Sequence, residues 1–431
     1  MGLSRVEDLF HHIPQTLRER AGISLPPGLS EKEVKRRMES LAARNGTPKE
    51  WGFFLGGGIY HHFIPSTVDA VISRSEFLTS YTPYQPEVSQ GTLQTIFEYQ
   101  TMMCQLTGME VSNAGVYDGA SAAAEAVLMA RRIQKGRRQV LLSRALHPQF
   151  RSVITTYLRN LSGVEVVDVP YTGSGGTDME SFRREMSEGV MCAVVGYPNF
   201  FGVVEDLETI RSVCAGHGAL LITATTEALS LALLKPPGAW GADIAVGEGQ
   251  SLGVPMSLGG PAFGFFTCRE KLARNLPGRL VGETVDHDGR RGFVLTLAAR
   301  EQHIRREKAT SNICTSQSLC TLAATVFMAT LGKSGIRRLA EVNLARAHEV
   351  RERLVQEAGL KPVFGGPFFN EFVLDVKGLP KIMSRMRAQK YLPGIPLGPY
   401  YPELRESLLI CVTEMNEQEE IDQLVKEFSQ N

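Results

Sequence analysis

The chain has 431 residues, and its 46 Lys plus Arg balance 46 Asp plus Glu, so no net field draws it to nucleic acid or to an anionic membrane. At roughly 150 residues per domain this length gives two or three structural units with ample core, and 43% apolar with 21% charged residues is an ordinary globular composition. No apolar run approaches the ~18 residues of a membrane span.

Seven cysteines, Cys104, Cys192, Cys214, Cys268, Cys314, Cys320 and Cys411, are odd in number and contain no CxxC pair, which fits reduced thiols. The opening MGLSRVEDLFHHIP lacks the apolar h-region of a secretory signal, and Val6 stands where a myristoylation motif wants Ser or Thr. A cytoplasmic protein is expected.

Taken in chain order, residues 1–60 read as an N-terminal helical extension. Pro14, Pro26 and Pro27 break it, and Ser30 followed by Glu33 opens a charged helix as a capping box. From Gly52 to Gln90 the chain is rich in Gly, Pro and Tyr, with too many breakers for long regular elements. Residues 61–310 then alternate helix patterns with short β-branched runs, the signature of a large α/β domain. Strands are expected near 140–143, 164–169, 192–197, 220–223, 243–246 and 262–266, and helices near 92–106, 120–134, 148–158, 205–215 and 228–234. Strands this apolar are covered on both faces, so the sheet should be mainly parallel. A charged stretch, Arg290 to Arg306, and a long helix from about Ser316 lead into a smaller α+β domain, 311–431, with strands near 372–376 and 407–412.

Several local signals have chemical readings. Gly249 to Gly253 spell GxSxG, the nucleophile elbow of serine hydrolases, but Ser251 is followed by Pro255 and Gly259–Pro261 rather than by a helix. A Gly-rich loop is the better reading of those glycines. His61 and His62 are adjacent and point apart on any regular element, and the other histidines have no carboxylate at ligand spacing, so no metal site is expected. Gly56–Gly58 lack the spacing of a phosphate loop. The turn Asp118-Gly119-Ala120-Ser121 opens a helix with free N–H groups, which suits either an anion or close helix packing. Tyr81, Tyr84, Gln85, Glu87 and Gln90 gather hydroxyls, amides and a carboxylate on a proline-stiffened loop, the kind of polar wall that a small ligand needs.

The stretch GGGIYHHFIPSTVDAVISRSEFLTSYTPYQPEVSQGTLQTIFEYQTMMCQLTGMEVSNAGVYDGASAAAEA and the stretch LLKPPGAWGADIAVGEGQSLGVPMSLGGPAFGFF resemble the N-terminal subunit of the two-subunit P-protein of the glycine cleavage system, and the likeness runs over essentially the whole chain. It implies the aspartate-aminotransferase (type I) fold of pyridoxal-phosphate (PLP) transferases, with a mainly parallel seven-stranded sheet and a small C-terminal domain. It also implies a glycine dehydrogenase (aminomethyl-transferring) that decarboxylates glycine on PLP and passes the aminomethyl group to the lipoyl group of the H-protein.

PLP chemistry needs a Schiff-base lysine and usually an Asp facing the ring nitrogen. Here Gln250 and Ser251 stand where the resemblance puts the lysine, no lysine occurs between Lys235 and Lys271, and Glu227 is the only acid from Leu220 to Ala242. The chain alone should therefore form no stable internal aldimine. PLP is expected on a homologous subunit 2 in an α2β2 assembly, with no nucleic-acid or membrane partner. On this reading Tyr81, Tyr84, Gln85, Glu87 and Gln90, with His61 and His62, line the glycine and lipoyl-arm channel, while Gly119 and Ser121 keep a vestigial phosphate cup. The alternatives are a non-catalytic scaffold or regulatory subunit, and a serine hydrolase acting through Ser251.

Overall fold

The computed structural model describes residues 2–22 and 24–430. The chain divides into two compact units, Met1–Glu50 and Trp51–Asn431. In the first, the expected charged helix runs Glu31–Ala42, and the Glu33 carboxylate accepts hydrogen bonds from the Ser30 N–H (2.9 Å) and hydroxyl (2.6 Å). None of its residues is buried, so Val34, Met38 and Leu41, spaced along one face, are left to solvent.

The second unit opens with an irregular segment whose helices, Ser66–Ile72 and Ser75–Leu78, stay short between breakers. Regular structure begins at α1 (Gln90–Thr107), which Gly108 ends in the left-handed conformation. There follow β1 (Val111–Ser112), α2 (Gly119–Ile133), β2 (Gln139–Ser143), α3 (Pro148–Leu158), β3 (Glu165–Val169), α4 (Met179–Glu185), β4 (Val190–Gly196), α5 (Leu207–Gly216), β5 (Leu220–Thr225), β6 (Ile244–Glu248) and β7 (Gly264–Cys268). The strands form one seven-stranded sheet in the order β1-β7-β6-β5-β4-β2-β3, parallel from β6 to β3 and antiparallel at β7 and β1. The mainly parallel sheet read from the apolar runs is thus present.

Strand periodicity explains its two cores. Leu141, Ala193, Val195, Leu221 and Ala245 face one side with residues of α1 and α5, whereas Val140, Leu142, Val194, Ile222 and Val246 face the other against α2 and α3. The expected helix near 228–234 is a 3-10 turn, Ala228–Ala232. An antiparallel hairpin, Leu280–Val285 with Arg291–Thr296, was not expected, and its second strand begins the stretch read only as charged. Its charged strand residues, Glu283 and Arg291, stand on the same face as the buried Val281 and Phe293, and that broke the alternation.

The long helix α6 (Ser318–Gln356) bends at Gly332. Its first half is long and apolar enough to cross a membrane by composition, yet Ala323, Ala324 and Phe327 pack in the first core beside Tyr99 and Phe263. Its second half supports a four-stranded sheet formed by β8 (Lys361–Pro362), β9 (Glu371–Asp375), β10 (Ile395–Pro396) and β11 (Ser407–Cys411) in the order β8-β9-β11-β10, with α7 (Leu379–Ala388) and α8 (Gln418–Ser429). Phe372, Leu374, Leu408 and Ile410 meet Val350, Leu354, Leu424 and Phe428 in a third core.

Candidate functional site

In an open α/β sheet, ligands bind beyond the carboxyl ends of the parallel strands. Here those ends, from Ser143 on β2 to Glu248 on β6, lie beside a segment of the chain itself, residues 56–62. The Gly57 peptide is held at both poles: its N–H donates to Glu371 Oε1 (2.6 Å), and its carbonyl accepts from His147 Nε2 (2.7 Å). Gly57 has φ of 64°, a left-handed turn that glycine takes without strain. Three residues on, the main chain of Tyr60 pairs with the Gln250 side-chain amide, its N–H donating to Oε1 (2.8 Å) and its carbonyl accepting from Nε2 (3.0 Å). The buried Tyr60 hydroxyl donates to Glu371 Oε2 at 2.9 Å and lies 3.2 Å from Thr226 Oγ1.

His62 is the electrostatic centre of this segment. Its Nε2 lies 3.0 Å from Glu227 Oε2 and its Nδ1 lies 2.9 Å from Glu414 Oε2, with all three side chains largely buried. Burial alone would push the imidazole pKa down; the two carboxylates outweigh it and raise it to about 10. Burial would raise Glu414 as well, but the His62 hydrogen bond and charge hold it below the usual carboxylate value. Asn343 and Asn370 donate to Glu414 and Glu227 respectively. Glu371 has no cation among its partners, and burial lifts it to about 7 despite the Gly57 and Tyr60 donors. Burial lowers His147 to about 4; its Nδ1 accepts from the Gln149 N–H, so Nε2 carries the proton given to Gly57.

At the start of α2, Asp118 caps Ser121 through its N–H (2.7 Å) and hydroxyl (3.1 Å). The Gly119 N–H donates to Glu248 Oε2 (3.0 Å), whose Oε1 also accepts from the N–H groups of Gly249 (3.1 Å) and Gln250 (3.2 Å). A Cβ at Gly119 would lie 2.6 Å from both the Glu248 nitrogen and the Phe150 ring, so both its anion-facing N–H and its close packing are real. The GxSxG glycines have packing reasons: a Cβ at Gly249 would lie 2.1 Å from the Phe263 ring. Ser251 is buried in the turn after β6, and among the described residues its Oγ has no hydrogen-bond partner and hence no base.

The other sequence-derived residues separate into two groups. His61 is half-buried, and its carbonyl accepts from Thr413 Oγ1. Tyr81 and Tyr84 are 74% and 53% exposed, and Gln85 and Glu87 are exposed beside them. The Tyr84 hydroxyl accepts from the buried Arg279 (3.3 Å), and its ring meets His303 edge-on at 5.6 Å. The Gln90 amide is used structurally, donating to Pro86 O and Phe293 O while accepting from the Phe293 N–H. Sequence reasoning missed Tyr60, Glu371 and Glu414. Glu371 and Glu414 lie more than 300 residues beyond the loop they hold, and no spacing rule joins them.

The crevice does not fit PLP. Ser251 cannot form a Schiff base, the acid after β5, Glu227, is engaged by His62, Asn370 and the Leu229 N–H, and the N–H donors a phosphate would use face Glu248. Among the described residues no group of three or more His, Cys, Asp or Glu is placed to hold a metal ion.

Comparison with known proteins gives the wider context. The model of the family "Glycine cleavage system P-protein" matches residues 1–428. A probable glycine dehydrogenase (decarboxylating) subunit 1 from Carboxydothermus hydrogenoformans is 50% identical over 427 residues, covering 99% of this chain and 95% of the relative. One from Anoxybacillus flavithermus is 48% identical over 429 residues with the same coverage. A crystal structure of a glycine decarboxylase (P-protein) of the glycine cleavage system, in inhibitor-bound form, superposes with a TM-score of 0.92 at 44% identity, covering 100% of this chain and 95% of that one. A sphingosine-1-phosphate lyase from Burkholderia pseudomallei, at 14% identity and a TM-score of 0.68 over 96% of this chain and 94% of its own, shares the fold alone. The fold is that of the type I PLP-dependent enzymes, and the chain belongs to the glycine cleavage system P-protein family.

Proposed function

We propose that this chain is subunit 1 of a cytoplasmic glycine dehydrogenase (decarboxylating), working with a homologous lysine-bearing subunit 2 that carries PLP. The pair, as an α2β2 tetramer, decarboxylates glycine and passes the aminomethyl group to the lipoyl group of the H-protein. The observation that carries the division of labour is the crevice: Ser251 replaces the lysine, and Glu248 takes the Gly119 N–H at the start of α2 and the N–H groups of Gly249 and Gln250. The names of the half-identical bacterial relatives support the assignment to subunit 1.

What this chain adds to the shared site we assign to the exposed loop 81–87. Tyr81, Tyr84, Gln85 and Glu87 present hydroxyl, amide and carboxylate groups outward on a proline-stiffened backbone, a form suited to lining a channel shared with a partner. Tyr84 is further steadied by Arg279. The test is to purify this chain and the lysine-bearing subunit separately and together, recording the visible Schiff-base band and glycine decarboxylation for each. The band should belong to the partner and full activity to the mixture. A partner that decarboxylates at full rate alone would reduce this chain to a scaffold.

A further inference from the structure

We propose that Glu248 is a built-in stand-in for phosphate: its carboxyl group holds the place at the start of α2 that a cofactor phosphate would take, so that this end of the crevice is filled without a ligand. The inference rests on the reading that PLP belongs to the partner subunit, and it names the device that keeps PLP out of this one.

A helix N-terminus attracts oxyanions because its first N–H groups lack partners and point along the positive end of the dipole. α2 has 15 residues and begins at Gly119, whose missing Cβ lets the helix start press against β6. From there the Gly119 N–H reaches Glu248 Oε2, while the Gly249 and Gln250 N–H groups reach Oε1 from the turn after β6, all within 3.2 Å. Three backbone donors from two segments thus converge on one carboxylate that is 6% exposed, an arrangement like the backbone concavities that bind phosphate. The Ser121 N–H of the same turn is taken by Asp118.

A second feature lies in the same turn after β6. Ser251, three residues beyond Glu248, is 2% exposed, and its hydroxyl finds no partner among the described residues. A polar atom is seldom left so in a region shaped only for packing. A phosphate approaching these donors would find all three already taken by the Glu248 carboxyl group, which burial pushes up to about 8, with the Asp118 side chain beside them. Wild-type chain therefore excludes phosphate from a site whose backbone is built to bind it.

The test uses the full-length chain with inorganic phosphate as probe, against chloride at equal ionic strength. Wild type should show no phosphate-specific change in Tm. Glu248→Ala and Glu248→Ser expose the three N–H groups, and their Tm should rise and saturate with phosphate, by on the order of 2 °C at roughly tenfold excess over Kd. A variant that folds only in phosphate supports the proposal equally. The proposal is overturned if wild type responds as the variants do, or if both variants, folded or not, behave identically in phosphate and chloride. This readout concerns this chain alone, so it is separate from the question of which subunit shows the Schiff-base band in the complex.

Discussion

His62 and Glu227 form a buried ion pair at 3.0 Å that joins the 56–62 segment to the turn after β5, with Glu414 on the other ring nitrogen. Removing one member of such a pair leaves an uncompensated buried charge, which costs far more than the intact pair contributes. His62→Ala should therefore lower stability by about 3–5 kcal/mol, measured by urea unfolding at pH 7. The imidazole's folded pKa of about 10 lies above its ordinary 6.5. Its contribution is thus complete below pH 6.5 and lost as pH rises through 10, and the gap between wild type and variant should close across that window. A gap that stays constant with pH would show that only packing is lost.

Glu371 loses its contribution in the same direction, but at lower pH and because of burial rather than an ion-pair partner. Its folded pKa of about 7 exceeds the ordinary 4.5, so the native state binds its proton more tightly than the unfolded state does. The contribution is present below pH 4.5 and falls as pH rises through 7. Glu371→Gln keeps an acceptor for the Gly57 N–H and has no proton to lose. It should match wild type near pH 4.5 and exceed it at pH 8 by on the order of 3 kcal/mol. Unfolding curves of both proteins across that range test this, and parallel curves would assign the pH dependence to other groups.

The sheet was legible in the sequence because buried parallel strands are short, apolar and β-branched, as Val190–Gly196 and Leu220–Thr225 are. The hairpin 280–296 was hidden because Glu283 and Arg291 interrupt the face that buries Val281 and Phe293. In the site, the missing lysine could be read directly at Ser251, since a chemical requirement is a statement about residue type. The filling of the crevice could not. Glu371 comes from β9 and Glu414 from beyond β11, and only the packing of two sheets brings them to Gly57 and His62. Likewise the start of α2 read as a packing contact before an anion site, whereas Gly119 makes a close contact and also donates to Glu248.

A lysine restored by Ser251→Lys should not restore cofactor binding. The position is buried, Gln250 beside it is bonded to Tyr60 and to Val254 O, and the phosphate donors remain on Glu248. A new ammonium there also lacks its hydration shell and favours the neutral amine. After soaking in pyridoxal phosphate and reduction with borohydride, mass spectrometry should find no adduct specific to position 251. An adduct in stoichiometric yield would show that the crevice opens readily and that the lysine alone was missing.

The exposed loop carries the last prediction. Tyr84 is held by Arg279, itself 3% exposed and bonded to Cys314 O, so the phenol is fixed in position while its ring faces outward. Deleting the hydroxyl removes one hydrogen bond at the rim of a folded chain, and Glu87→Gln removes a charge that bonds to no other described residue; each should change stability by under about 1 kcal/mol. A group that acts only within this chain would then leave catalysis intact. We expect instead that Tyr84→Phe and Glu87→Gln lower glycine–CO2 exchange by the reconstituted two-subunit enzyme about tenfold or more, an effect typical of losing a positioning contact, while the Tm of the chain and its co-purification with the partner are unchanged. Full exchange activity in both variants would remove the loop from the shared site.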